Sequence, residues 1–205
     1  MNNIPKAPPW GFFTLVTYIP DPLGSFLEEL RDDLPGSGCS QVHITLLPPR
    51  VLKVPIEAAS TRIQGILSGF PQFQVELHRV RRFAETNFLY LDLNEGDSVV
   101  EELHAALNTG ALADPEKFEF SPHLTLGGPV LPADLDSAQQ QVQLAWDTRH
   151  CSPRFTIREV VFLWASPESP QGEWGRLWSH QLKPQERAAA ATVTSQTSST
   201  ARRDR

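Results

Sequence analysis

Apolar residues recur along this chain at two spacings, one typical of strands and one typical of helices. Apolar residues at every second position, or continuous β-branched and aromatic runs, predict strands, and apolar residues three and four apart predict helices. The predicted strands cover residues 11–19, 41–47, 73–83, 87–93, 118–126, 155–164 and 174–182. The predicted helices begin near Pro22, Pro55, Asp97 and Pro132 and end near Leu34, Gly69, Leu107 and Trp146. This mixture predicts an α+β protein.

The order of these elements repeats once along the chain. Residues 10–83 and residues 86–165 each follow the order strand, helix, strand, helix, strand, and an extra strand over 174–182 comes after them. The repetition predicts a duplicated unit within a single domain that covers residues 1–183. Residues 184–205 contain hardly any apolar anchor and are rich in Ala, Thr, Ser and Arg, which predicts a disordered tail.

The same short motif, His-x-Thr-Leu, occurs in the second strand of each predicted repeat. The first copy begins at His43 and the second at His123. In a strand, residues two apart project from one face, so each copy presents an imidazole beside a hydroxyl, those of Thr45 and Thr125. Since a pair at equivalent positions is hard to explain by coincidence, we interpret His43, Thr45, His123 and Thr125 as functional residues.

Two imidazoles that flank one atom are suited to displacement at phosphorus. One histidine can deprotonate the attacking group while the other protonates the leaving oxygen, and both tasks need a pKa close to neutral pH. The threonine hydroxyls can donate hydrogen bonds to the non-bridging phosphate oxygens. This chemistry requires no cofactor and no metal, and Cys39 and Cys151 have no neighbours at the spacing of a zinc site.

Composition limits the partners that such a site can have. The chain of 205 residues has a formal net charge of −6, which argues against a long groove that follows many phosphates. A nucleotide or a short RNA remains compatible with this charge. Because we find neither a targeting segment nor an apolar run of membrane-spanning length, we expect a cytoplasmic protein without a membrane partner.

The paired motifs, their separation, and the form Ser-Pro-His-Leu-Thr-Leu of the second copy resemble the two-histidine (2H) phosphoesterase superfamily. The resemblance extends over about residues 12–182 and is closest to the bacterial branch of 2′-5′ RNA ligases and RNA 2′,3′-cyclic phosphodiesterases. It implies a bilobal fold with two antiparallel sheets flanked by helices. The chain ends then share one lobe, and a central cleft carries both motifs. The two histidines and two threonines map onto the catalytic positions of the family.

The resemblance also implies the reaction, which is hydrolysis of a 2′,3′-cyclic phosphate on an RNA end or a nucleotide, in some members with reversible 2′-5′ ligation of RNA. We expect a monomer that binds a nucleotide or short RNA with a cyclic phosphate end. Arg79 and Arg81 share a strand face and can hold a phosphate, unless they only form a solvated face. The backbone amides of Gly127 and Gly128 can also approach a phosphate. A different cyclic or 2′-5′-linked nucleotide as substrate, and a non-catalytic nucleotide- or RNA-binding module, remain as alternatives.

Overall fold

The computed structural model describes residues 10–36, 41–166 and 173–185. This part of the chain forms eight strands, four α-helices and one 3₁₀ turn at Gly110–Leu112. The strands are β1 (Phe12–Tyr18), β2 (His43–Val51), β3 (Phe73–Arg82), β4 (Leu89–Glu95), β5 (His123–Gly127), β6 (Arg154–Ile157), β7 (Glu159–Ala165) and β8 (Gly175–Gln181). The helices are α1 (Leu23–Arg31), α2 (Ile56–Leu67), α3 (Asp97–Leu107) and α4 (Leu135–Asp147). The predicted disordered tail, apart from residues 184 and 185, and Cys39 lie outside the described residues.

All eight strands pair into one antiparallel sheet, in the order β6-β3-β4-β5-β2-β1-β7-β8. The family resemblance implied two antiparallel sheets, and the structure differs on this point. The difference arises at the centre, where the backbones of β2 and β5 pair at Ile44 and Leu124 and so join the two halves. The first strand, β1, and the last, β8, lie in the same half.

Each predicted repeat contributes its last strand to the opposite half of the sheet. β3, from the first repeat, pairs with β4, and β7, from the second repeat, pairs with β1. The predicted strand over 155–164 is therefore two strands, because β6 pairs with β3 whereas β7 pairs with β1. The break between them is at Arg158, where the chain passes from one half to the other. The duplicated origin of the two units stays a prediction.

The helices bury the apolar faces that their periodicity predicts. Leu27 of α1, Ile63 of α2, Leu103 of α3 and Trp146 of α4 are fully buried. The indole Nε1 of Trp146 also donates a hydrogen bond to the carbonyl of His78, 2.6 Å away, so the largest buried side chain has its polar atom satisfied. No helix in the described ranges is long and apolar enough to cross a membrane.

Candidate active site

The two motifs lie side by side at the centre of the sheet. Ile44 and Leu124, the middle residues of the motifs, are fully buried on the core face. Alternation along the strands therefore puts both histidines and both threonines on the opposite face. Because antiparallel strands run in opposite directions from the Ile44–Leu124 pair, each histidine lies next to the threonine of the other motif. The structure thus brings together all four residues that the sequence singled out.

The two imidazole rings are held by matching hydrogen bonds. Nδ1 of His43 lies 2.7 Å from the carbonyl oxygen of Gln41, and Nδ1 of His123 lies 2.7 Å from that of Ser121. A carbonyl oxygen can only accept, so Nδ1 carries the proton in both rings and donates it. Among the described residues neither Nε2 has a hydrogen-bond partner, which leaves one nitrogen of each ring for a ligand.

The surroundings shift the pKa of both histidines in the same direction. Burial lowers the pKa of His43 below its usual value, the hydrogen bond to the Gln41 carbonyl opposes this, and the nearby charge of Arg31 lowers the pKa further. Burial likewise lowers the pKa of His123, with the Ser121 carbonyl in opposition and the charge of His43 adding to the decrease. Burial therefore favours the neutral form of both rings when the site is empty, and a bound phosphate favours the protonation of one of them.

Aromatic side chains surround the histidines, and the sequence analysis did not single them out. The rings of Phe83 and Tyr90 stack at 4.1 Å between centroids, and both meet the His123 ring edge-on, at 4.9 and 5.4 Å. Tyr18 meets the His43 ring edge-on at 6.3 Å. Tyr18 and Tyr90 are the only two tyrosines of the chain, and burial raises the pKa of both phenols. Their placement in the first strand of each predicted repeat was the signal that could have identified them.

A cavity of about 640 Å³ opens next to His123 and Thr45. Its walls come from the end of β2, the turn between β3 and β4, and the loop that precedes β5. The lining residues are Thr45, Pro48, Pro49, Arg50, Phe83, Glu85, Thr86, Asp114, Pro115, Glu116, Lys117, Phe118, Glu119, Phe120, Ser121 and His123. One histidine and one threonine of the four motif residues therefore face this space.

A buried polar network holds the loop before β5, and the sequence did not predict it. The guanidinium of Arg50 donates to Glu116 Oε1 and Asn108 Oδ1, both at 2.7 Å. His104 lies between the Leu46 carbonyl and Glu116 Oε2, at 2.9 and 3.1 Å, and the ring of Phe120 stacks on it at 3.6 Å. Residues 118–122, predicted as part of a strand, lie in this loop, where the ring of Phe120 packs on His104 of α3 instead of joining a strand pair.

The two candidate phosphate-binding arginines differ in their environment. Arg81 pairs in register with Tyr90, which pairs with Thr125, so these three residues share the face that carries the histidines. The Nε of Arg81 donates to Asp92 Oδ2 at 2.9 Å, which neutralises part of its charge. The side chain of Arg79 is exposed, and its backbone amide donates to Asp92 Oδ1 at 2.7 Å.

The two candidate glycines are packed against protein. The amide of Gly128 donates to the Pro35 carbonyl at 2.6 Å, so it is already used. A Cβ on Gly127 would lie 2.7 Å from the Cβ of Leu34, and one on Gly128 would lie 2.8 Å from Phe88. These contacts give both glycines a packing role between the end of β5 and its neighbours.

The described residues contain no group of three or more His, Cys, Asp or Glu side chains that could hold a metal ion. Cys151 is a half-buried free thiol.

The 2'-5' RNA ligase superfamily matches residues 19–168, which is more than half of the chain. A protein of Geobacillus thermodenitrificans named "Putative phosphoesterase" is 30% identical over 111 residues, which are 50% of this chain and 64% of that protein. A protein of the same description from Halalkalibacterium halodurans is 35% identical over 94 residues, which are 42% and 54%. The chain thus spans less than two thirds of the length of these relatives.

Solved structures show the same fold at low sequence identity. E. coli LigT in its apo form superposes with a TM-score of 0.59 at 13% identity, over 84% of this chain and 98% of LigT. Kluyveromyces marxianus Usb1 superposes with a TM-score of 0.51 at 14% identity, over 74% of this chain and 93% of Usb1. Together with the match over residues 19–168, these similarities identify the chain as a member of the 2'-5' RNA ligase superfamily, the 2H phosphoesterases.

Proposed function

We propose that this protein hydrolyses 2′,3′-cyclic phosphates of nucleotides or RNA ends to phosphomonoesters, with His43 and His123 as the acid and base. The observation that carries the proposal is the matching of the two rings. Both project from one face of adjacent strands, both donate Nδ1–H to the carbonyl two residues earlier, and both leave Nε2 for a ligand. A phosphate between them meets two equivalent nitrogens.

The reaction needs one neutral and one protonated ring. Nε2 of the neutral histidine takes a proton from water as the water oxygen forms its bond to phosphorus. The bond from phosphorus to one ribose oxygen breaks, and Nε2–H of the other histidine protonates this oxygen. Burial and, to a smaller extent, the charge of the neighbouring His43 lower the pKa of His123, which disfavours the binding of a second proton by the pair. At the end of the reaction the protonation states of the two rings are exchanged, and proton transfer through water restores them for the next turnover.

The threonines would stabilise the charge that develops on phosphorus oxygens. Thr45 lies next to His123 and Thr125 next to His43 on the paired strands, so each hydroxyl can donate to a non-bridging oxygen of a phosphate held between the rings. Arg81 lies on the same face of β3, two strands from β5 and in one row with Tyr90 and Thr125, and it can supply a further positive charge.

A second candidate function uses the same chemistry on a 2′-5′ linkage between nucleotides. The enzyme would then either cleave this linkage or form it by ligation. The membership of the 2'-5' RNA ligase superfamily favours it. A 2′-5′-linked dinucleotide and a 2′,3′-cyclic mononucleotide in parallel assays separate the candidates, because the natural class gives the higher kcat/KM.

Hydrolysis of a 2′,3′-cyclic mononucleotide with EDTA present tests the proposal. We expect the wild type to form a phosphomonoester, and His43→Ala and His123→Ala each to lose this activity. The control is His150→Ala, an exposed histidine outside the site, which should retain it. Full activity in either single variant of the pair would refute the two-histidine mechanism. Tight binding of the nucleotide without turnover would favour a binding module instead.

A further inference from the structure

The lining of the cavity beside His123 is acidic, which is unexpected next to a site for phosphate. Four carboxylate side chains line it but only two cationic ones, those of Arg50 and Lys117. A phosphodiester held between the histidines carries one negative charge. A second phosphate group, placed in the cavity, would find few cationic side chains to neutralise it. The charges of the lining therefore bear on the part of the substrate that lies beyond the reacting phosphorus.

Most of these charged groups already have protein partners. Arg50 is almost completely buried and donates to Glu116, Asn108 and two backbone carbonyls. Glu116 is shared between Arg50 and His104. Asp114 forms an ion pair with Lys53 at 2.9 Å. These groups shape the wall of the cavity, but they have little capacity left to bind a ligand.

The groups that remain for a ligand are mainly acceptors. Glu85 and Glu119 are exposed at the cavity and form no ion pair with any described residue. The nearby cationic side chain in the lining is Lys117, whose ammonium lies 5.1 Å from the centre of the Phe118 ring. An ionised carboxylate can only accept hydrogen bonds. The two glutamates thus favour a ligand group that offers N–H or O–H donors, and they repel one that carries further negative charge.

The size and the apolar part of the cavity suit one ring system with a sugar. About 640 Å³ lies within the range of small-molecule sites, roughly 300–1,000 Å³. Phe83, Phe118 and Phe120 line the space, and aromatic faces of this kind accept a planar ring.

From these observations, and on the basis of the proposed function, we propose that the cavity takes the uncharged nucleoside of a 2′,3′-cyclic phosphate whose 5′-hydroxyl is free. Glu85 and Glu119 then act as specificity determinants. They accept hydrogen bonds from donors of the nucleoside and disfavour a second phosphate. The preferred substrate is therefore a nucleoside 2′,3′-cyclic phosphate rather than an RNA end, whose terminal nucleoside carries a phosphodiester on its 5′-oxygen.

The test compares kcat/KM for one nucleoside 2′,3′-cyclic phosphate with a 5′-hydroxyl and for the same compound with a 5′-phosphate. At low salt we expect the wild type to prefer the 5′-hydroxyl compound by about five- to tenfold, and at about 0.5 M salt we expect the preference to shrink. In the double variant Glu85→Gln/Glu119→Gln the ratio should fall towards one. Glu101→Gln, which removes an exposed carboxylate on α3 away from the cavity, should keep the wild-type ratio.

The outcomes separate this inference from the proposed function. Equal kcat/KM for the two compounds, a preference for the 5′-phosphate, or a ratio that the double variant leaves unchanged overturns the inference alone, because the 5′-hydroxyl compound is still hydrolysed. A folded protein that turns over neither compound overturns the proposed function, and the inference fails with it.

Discussion

The two histidines share a hydrogen-bond geometry but have different surroundings. His43 lies within the influence of Arg31 and Glu28, charged residues of α1, and beside the edge of one tyrosine ring. His123 lies against two stacked aromatic rings and opens onto the acid-lined cavity. The shared geometry suits a common reaction, and the cavity gives the His123 side room for an organic group.

Because of this difference, we expect mutations around the two histidines to have different effects on their positions. The His123 side depends on a loop that Arg50 and His104 hold from other elements. The carbonyl that accepts the proton of His123, Ser121 O, belongs to the same loop. The corresponding carbonyl for His43, Gln41 O, has no such network among the described residues. Perturbation of the loop should therefore affect His123 more than His43.

Loss of either histidine is expected to have the largest effect on catalysis. We expect His43→Ala and His123→Ala each to lower kcat by about 10²–10⁴-fold, the usual contribution of one acid or base. Because the two rings act on one phosphorus, the double variant should lose little more than the worse single variant. Steady-state kinetics on a cyclic mononucleotide checks this. Losses that multiply would show that the rings act independently.

Removal of Arg50 should be the largest change in stability. Arg50→Met leaves the carboxylate of Glu116 without its main partner, and we expect the free energy of unfolding to fall by about 3 kcal/mol. Urea unfolding measures this. The matched control is Lys53→Met, which removes the exposed ion pair to Asp114 of the same loop and should cost less than about 1 kcal/mol. Equal effects of the two variants would contradict the buried role of Arg50.

The threonines should differ in the size of their contributions. Thr45 is half-buried at the cavity, whereas Thr125 is exposed, so water can replace the hydroxyl of Thr125 more easily. We expect Thr45→Val to lower kcat by about 10²-fold, as the loss of one charge-stabilising donor does, and Thr125→Val to lower it less. A larger loss from Thr125→Val would reverse this part of the comparison.

Glycine substitutions give the smallest predicted changes in stability, and we compare Gly128, after the second motif, with Gly65 in α2. Gly128 has a φ of +145° and no room for a Cβ beside Phe88, so Gly128→Ala should destabilise the protein by about 1–3 kcal/mol. Gly65, inside α2, has nothing within 4 Å of a Cβ, so Gly65→Ala should stabilise it by about 0.5–1 kcal/mol. Thermal unfolding of both variants tests the packing role. A Gly128→Ala protein of normal stability that binds phosphate poorly would instead support a phosphate-binding role for this position.

Local sequence patterns were enough to predict much of the fold. The periodicity predicted a helix from near Asp97 to near Leu107, where α3 lies, and it put Ile44 and Leu124 on the core face. Strand alternation alone predicted that the histidine and the threonine of each motif share a face, since residues two apart do so whatever the strand pairs with. Such features depend on neighbours in sequence, which the pattern contains.

Features that depend on partners distant in sequence were missed. The strand break at Arg158 exists only because β6 and β7 pair with different strands. Three hydrogen bonds of Arg50 join residues 58–66 positions apart, and no local pattern marks them. The packing of Gly127 against Leu34 and of Gly128 against Phe88 was also missed, because a glycine pair looks the same in a sequence whether it approaches a ligand or another part of the protein. Their approach to a phosphate stays a prediction.

The central claim is that one phosphate is shared by both rings, and an NMR titration of the imidazole nitrogens with inorganic phosphate tests it most directly. Without phosphate, we expect both rings to carry their proton on Nδ1 and to titrate below the usual histidine pKa of about 6.5, because burial disfavours the charged form. With phosphate, His43 and His123 should shift together along one saturation curve, and the pKa of at least one ring should rise. A response from only one ring, or two curves with different affinities, would contradict the claim.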